Sequence, residues 1–297
     1  NSITNQDGSA GPQVCGVSTF SGKSGVQIPS GPTEFRRQDG GGRGRGVFGS
    51  GATPSSTDVM DVIEIATTGN SVDFGDDSKI REENYASFSS SIRGIYAGGY
   101  LPQAFTDIGY FTFSSQGGAN DFGDLQTAVY AQGGCGNNIR GLSGGGNSGS
   151  SFNNVIEFVT IASTGDATDF GNLIEGNRSI GSGIASPTRG VWHGGNTSDP
   201  SGNEVNTIQF VTIPTLGNAQ DFGDLTVKRE GCGRGTISSA IRGLSMSGWD
   251  GSATNEIDYL TIASEGNSID FGNSSSQRGW GAGMSSSTRG LLSLIHI

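Results

Sequence analysis

Asp-Phe-Gly occurs five times in this chain, beginning at Asp73, Asp121, Asp169, Asp221 and Asp270. In a protein kinase that tripeptide holds magnesium. The residue after it is Asp76, Asp124, Asn172, Asp224 or Asn273, so most copies set two carboxylates three positions apart, a calcium-like pattern. Neither chemistry is supported. A kinase uses one such motif with a Gly-rich nucleotide loop, a strand lysine and an H-R-D loop, and this chain has no H-R-D. Asn stands at two of the five second positions, and no unit carries a D-x-D-x-D-G loop. No metal and no cofactor is expected.

Other chemistry is equally thin. A nucleophilic triad needs a histidine beside Ser or Cys. The histidines are His193, inside the apolar stretch "RGVWHGG", and His296. Cys15, Cys135 and Cys232 lack metal-ligand spacing and read as small apolar fillers. The run "GLSGGGNSGSS" lacks the Lys-Ser/Thr of a phosphate loop. Acids are plentiful enough for a glycosidase pair, yet nearly all recur at repeated positions, which assigns them to the scaffold.

The elements that would carry these residues follow from the repetition itself. Asp-Phe-Gly recurs at intervals of 48, 48, 52 and 49 residues. An Arg-Gly pair keeps step at Arg45, Arg93, Arg140, Arg189, Arg242 and Arg289. Within the unit from Arg178 to Leu225, "RSIGSGIASPT" supplies small residues for close packing. "RGVWHGG" is a short apolar strand stopped by glycines. "NTIQFVTIP" alternates apolar and polar residues, the period of a half-buried strand. "TLGN" is turn chemistry, and "AQDFGDL" closes the unit. About four strands per 48 residues indicate an all-β β-propeller of four-stranded blades, stable only as neighbours stack around an axis. About five complete blades and a partial sixth are expected.

In that frame the motif is structural. Phe74, Phe122, Phe170, Phe222 and Phe271 are expected to fill gaps between blades, each contributing about 1.5–3 kcal/mol. Asp221, Asp224 and their equivalents should anchor backbone N–H groups in a turn. Arg93, Arg140, Arg189 and Arg242 should bond backbone or carboxylates between strands or blades, since a partly buried guanidinium needs a partner.

The order of Arg, small-residue strand, apolar strand with Gly-Gly, variable loop and aromatic strand resembles the kelch repeat. The glycine pairs are Gly98-Gly99, Gly144-Gly145 and Gly194-Gly195, degenerate at Gly49-Ser50 and Ser247-Gly248. Phe replaces the kelch Trp, so the units are kelch-like. The pattern "TRG(V/L)…GG…N.I.(F/Y).TIAS.GNA.DFGDL" is similar to repeats in virion proteins of tailed phages, especially marine cyanophages. "ITNQDGSAGPQVCGVSTFSG…VQIPSGPTEFR" is similar to the segment that precedes the propeller there. The resemblance implies a virion or extracellular location, a tail- or fibre-associated role and other virion proteins as partners.

Residues 1–40 form an N-terminal segment and 41–297 the repeats, with units starting near Arg45, Arg81, Val129, Arg178, Arg229 and Arg278. The sequence opens on Asn1 without a signal-like segment, which reads as a fragment or processed product. "LLSLIHI" replaces the expected strand and glycines and reads as a foreign or truncated end, implying further native blades. The alternative is that "VCGVSTF" and "GVQIP" complete the sixth blade. No apolar run of 18 residues is present, so no membrane insertion is expected. The net charge of −11 disfavours nucleic acid.

Function is then expected in loops on one face. The loop after the second strand varies most: "GGYLPQAFTD", "GGGNSGSSFNN", "GGNTSDPSGNEVN" and "SGWDGSATN". Tyr100, Trp249 and Asp250 are the binding candidates. An aromatic ring stacks on a sugar while Asp and Asn oxygens hold its hydroxyls. The leading expectation is a non-enzymatic virion propeller recognising host-surface glycans. The alternatives are a virion decoration without a ligand, or a secreted kelch-like carbohydrate-active enzyme.

Overall fold

Each unit folds as an antiparallel meander, with successive strands pairing in chain order. The computed structural model describes residues 13–14, 17–18, 44–52, 55–83, 86–197, 203–232, 236–286 and 289–293. It divides into two units, 1–36 and 37–297. In the first, β1 (Gln13–Val14) pairs with β2 (Val17–Ser18). Otherwise the expected ring-closing strands, and His296 with the last four residues, lie outside the described residues.

The second unit is an all-β propeller without a helix among the described residues. The first blade is β3 (Arg45–Ala52), β4 (Ser56–Glu64) and β5 (Val72–Asp76). The second is β6 (Ser87–Ser89), β7 (Arg93–Ala97), β8 (Asp107–Thr112) and β9 (Asn120–Asp124). The third is β10 (Gly133–Gly136), β11 (Arg140–Gly144), β12 (Val155–Thr160) and β13 (Thr168–Asn172). The fourth is β14 (Gly181–Ala185), β15 (Arg189–His193), β16 (Thr207–Thr212) and β17 (Gln220–Asp224). The fifth is β18 (Thr236–Ser238), β19 (Arg242–Met246), β20 (Thr254–Thr261) and β21 (Ile269–Arg278). The pair β22 (Ala282–Ser285) and β23 (Gly290–Ser293) forms a partial sixth. Four blades thus have four strands, and the first has three among the described residues.

Innermost strands β6, β10, β14, β18 and β22 meet their neighbours in turn, and β22 meets β3. β10 is rich in glycine, and there the approach is close: a Cβ on Gly134 would lie 2.7 Å from the backbone nitrogen of Ser87. The core lies in the seams. One cluster joins Phe122 and Leu125 of the second blade to Val159, Ile161 and Ala167 of the third. Another joins Phe222 and Leu225 of the fourth to Leu260 and Ile262 of the fifth.

Asp-Phe-Gly is a β-bulge. In the third blade Ile156 pairs with Gly171 and Glu157 with Asp169, so Phe170 has no partner in the ladder. The same shift occurs in the other four blades, between Met60 and Asp61, Ile108 and Gly109, Ile208 and Gln209, and Ile257 and Asp258. A bulge re-aims the extra residue. The glycine that follows has φ of 133–149° in all five copies, a region open essentially to Gly. Phe74, Phe122, Phe170 and Phe222 are 2–3% exposed. Phe271 departs from the expectation at 56% exposed, because only β22 and β23 are described beyond its blade.

The turn chemistry also differs from the expectation. Asp224 is held by its main chain. Its N–H donates to Asn267 Oδ1 at 3.1 Å, and its carbonyl accepts from Ser268 N–H at 2.8 Å. The same pair of bonds forms at Asp124 with Asp166 and Ala167, and at Asn172 with Asn218 and Ala219. The anchoring side chain therefore belongs to the next blade's turn. Asp221 and the other first-position motif aspartates are exposed, though Asp270 does accept a backbone N–H, that of Gly272 at 2.8 Å, as expected.

Arg93, Arg140 and Arg189 each donate Nη1–H to a carbonyl of the following blade, of Ile161, Ile213 and Ile262, at 2.9–3.1 Å. Arg242 is exposed and lies over the Tyr259 ring, 5.0 Å from its centroid.

Candidate functional site

The variable loops leave the second strand of each blade on one rim of the ring. Tyr100, Asn147, Asn196 and Trp249 hold the same repeat position there, just after the paired glycines. Each forms two isolated antiparallel bridges, giving rungs Glu82–Tyr100–Ala104, Tyr130–Asn147–Phe152, Arg178–Asn196–Glu204 and Glu230–Trp249–Ala253. One member of each rung comes from the segment that joins successive blades. That segment turns sharply, with positive φ at Glu83 (47°), Ala131 (56°), Ser179 (50°), Gly231 (68°) and Trp280 (50°). These turns are tied to one another. Ala131 N–H donates to Glu83 O at 2.7 Å, Ser179 N–H to Ala131 O at 2.8 Å, and Gly231 N–H to Ser179 O at 2.9 Å. The rim is therefore a hydrogen-bonded band carrying different side chains on one backbone.

The glycine pairs place the loops. Gly194 has φ of 58°, and a Cβ there would meet Arg229 O at 2.5 Å. The degenerate positions Ser50 and Ser247 keep the same turn, at φ of 61° and 62°.

Trp249 is half-buried and stacks on Trp280, with centroids 5.5 Å apart and planes 22° apart. Asp250, also half-buried, lies 3.3 Å from Lys228 Nζ, which reaches Glu204 at 3.7 Å. Glu230 is 8% exposed. Burial pushes its carboxyl above the usual range, partly offset by Arg178, while the Glu204 and Glu83 charges add to the rise. Tyr100 is half-buried against Tyr130 at 4.9 Å. Tyr100 sits on the second blade and Trp249 on the fifth, in equivalent places. The sequence reading missed Tyr130, Arg178, Lys228, Glu230 and Trp280. All lie in the blade-joining segments, and only the strand order reveals that these share the rim with the loops.

A second polar group lies inside the fourth–fifth seam. His193 is fully buried, its Nδ1 3.5 Å from Cys232 Sγ and 3.4 Å from Ser245 Oγ. Beside it Arg229 donates to Asp258 at 2.9 Å, both buried. Burial, reinforced by the Arg229 charge, lowers the imidazole pKa to about 3, and burial pushes the Cys232 thiol up. A weak base beside an un-ionised, solvent-excluded thiol is a packing cluster and not an activated nucleophile. Among the described residues, no three His, Cys, Asp or Glu side chains converge as a metal ion requires.

The seam also holds a position that sequence reading passed over. Glu157, Gln209 and Asp258 are buried equivalents on the third strands, and each accepts a backbone N–H from the preceding blade's exit, of Gln126, Ile174 and Thr226. Burial raises the Glu157 carboxyl. The available signal was a side-chain oxygen recurring amid apolar residues.

No protein-family model matches the chain, and no curated protein matches it significantly.

Proposed function

We propose that the chain is a non-enzymatic virion component, tail- or fibre-associated, whose loop rim recognises host-surface glycans outside the cell. The observation that carries the glycan reading is the stacked Trp249–Trp280 pair beside Asp250 and Lys228. An indole offers a flat apolar face to a sugar ring, and the adjacent carboxylate and ammonium supply an acceptor and a donor for hydroxyls. The scaffold suits such a role, since the rim backbone repeats while its side chains vary. The virion assignment rests on the likeness of the repeat units to phage virion repeats. Glycan-array screening of the chain and of Trp249→Ala tests the reading. Binding by the first, lost in the second, is expected. A folded chain that binds no glycan would instead be a structural decoration.

A further inference from the structure

The first blade lacks a ring that its four successors carry. Arg93, Arg140, Arg189 and Arg242 lie over Tyr110, Phe158, Phe210 and Tyr259 on the third strand of their own blades. The guanidinium carbon stands 4.4–5.0 Å from each ring centroid. In the first blade the strand register puts Val62 at that place. Val62 pairs with Val47, as Tyr110 pairs with Ile95, Phe158 with Leu142, Phe210 with Val191 and Tyr259 with Leu244. Arg45 still makes the seam bond, donating Nη1–H to Phe113 O at 2.9 Å, and its Nε–H donates to Glu64 Oε1 at 3.0 Å. Val62 gives its guanidinium no ring to lie on.

The second blade fills part of the space. Phe111 stands where Val159, Val211 and Leu260 stand in the later blades, each paired with the glycine of the Arg-Gly pair. Phe111 meets the bulge ring Phe74 edge-on, 5.3 Å between centroids at 69°. Phe122, Phe170 and Phe222 make that contact with the third-strand ring of their own blade. What remains at Arg45 is a groove of about 220 Å³ lined by Arg45, Val62, Glu64, Asn70, Val72 and Gln116, among others. Its floor is apolar: Val72 is the ladder partner of Val62 and is 57% exposed. Gln116 Nε2–H donates to Asp73 O at 3.3 Å and ties the next blade's turn to this wall. An apolar cavity of roughly 150 Å³ takes up benzene, so the groove has room for one substituted ring. We propose that it binds a small monocyclic phenol, with the ring on Val62 and Val72 beneath the Arg45 guanidinium. The ring supplies the cation–π contact that the later blades build from their own side chains. The side-chain amides of Asn70 and Gln116 bond the hydroxyl.

Titration of p-cresol into the whole chain, followed by methyl NMR, is the test. The Val62 and Val72 methyl protons should shift upfield, as protons over a ring face do, and the shift should saturate. 4-Methylcyclohexanol has the same size and hydroxyl but no π face, and should bind at least about fivefold more weakly. Val72→Asn gives this exposed position the residue found at the equivalent Asn120. It should melt with the parent chain and bind p-cresol at least about fivefold more weakly, having lost apolar floor. Val62→Tyr combined with Phe111→Val repeats the pairing of Tyr110 with Val159 in the next seam and should abolish binding. Where that double variant melts earlier than the parent chain, Val72→Asn alone decides. The proposal is overturned if the valine methyls do not shift, if the shift does not saturate, or if 4-methylcyclohexanol binds as tightly as p-cresol. It is also overturned if Val72→Asn, or a stably folded double variant, binds p-cresol like the parent chain.

Discussion

The Arg289 guanidinium donates to the carbonyl of Ile65 at 3.2 Å, joining residues 224 positions apart. The same bond runs from Arg45 to Phe113, Arg93 to Ile161, Arg140 to Ile213 and Arg189 to Ile262, each time into the following blade. The link from the last strand pair to the first blade thus uses the same bond as the seams that follow the first four blades. Arg93, Arg140 and Arg189 also lie over an aromatic ring of their own blade's third strand, so each guanidinium is held at home and spends its charge on a neighbour's backbone.

Arg189→Ala should therefore lower the melting temperature. It removes the bond to Ile262 O, the 4.4 Å contact over Phe210 and an exposed pair with Glu265. A hydrogen bond from a charged group and a cation–π contact together are worth about 1–3 kcal/mol, or several degrees at this size. Arg242→Ala, whose side chain meets only its own blade's Tyr259 ring among the described residues, should shift the melt by about 1 °C or less. Thermal melts of the two variants side by side decide it.

The five bulge phenylalanines should separate in the same way. Phe222→Ala opens the seam beside Leu260 and Ile262 and should cost about 3–5 kcal/mol. Phe271→Ala should cost under about 1 kcal/mol, since its ring is 56% exposed. Urea unfolding of both variants measures the difference.

The pattern of Arg-Gly and Asp-Phe-Gly made blade number and strand order legible, because each marker sits where geometry admits few residues. The bulge was not legible. Register is a relation between strands, and the "DFG" residues alone do not say which one loses its partner. Nor could the shared Asp-Phe-Gly separate Phe271 from Phe222, because their burial depends on the next blade. The rim was half legible: Tyr100, Trp249 and Asp250 stood out as aromatic or acidic loop residues. Trp280, Lys228 and Glu230 come from the blade joints and meet them only in three dimensions.

Acid should loosen the fourth–fifth seam. His193 is neutral when folded, with its pKa lowered from 6.5 to about 3. Above the unfolded value both states are neutral, so nothing is lost. Between 6.5 and about 3 the unfolded chain binds a proton that the folded one refuses. Stability then falls by up to about 1.4 kcal/mol per pH unit. Glu157 and Glu230, whose carboxyls are raised above 4.5, take up a proton first in the folded chain, so they partly oppose this loss as the pH falls through their raised values to 4.5 and add nothing further below it. His193→Met, which places the residue found at the equivalent Met246, should flatten the fall between pH 6 and pH 5. Melts across that range, compared with the parent chain, show whether the slope belongs to His193.

The most direct measurement of the functional account is calorimetric titration of the best array-identified glycan into the parent chain, Trp249→Ala and Arg189→Ala. The account predicts saturable binding to the parent chain and to Arg189→Ala, and at least about tenfold weaker binding to Trp249→Ala, the loss expected on truncating an aromatic anchor. Equal affinity for the parent chain and Trp249→Ala would contradict it.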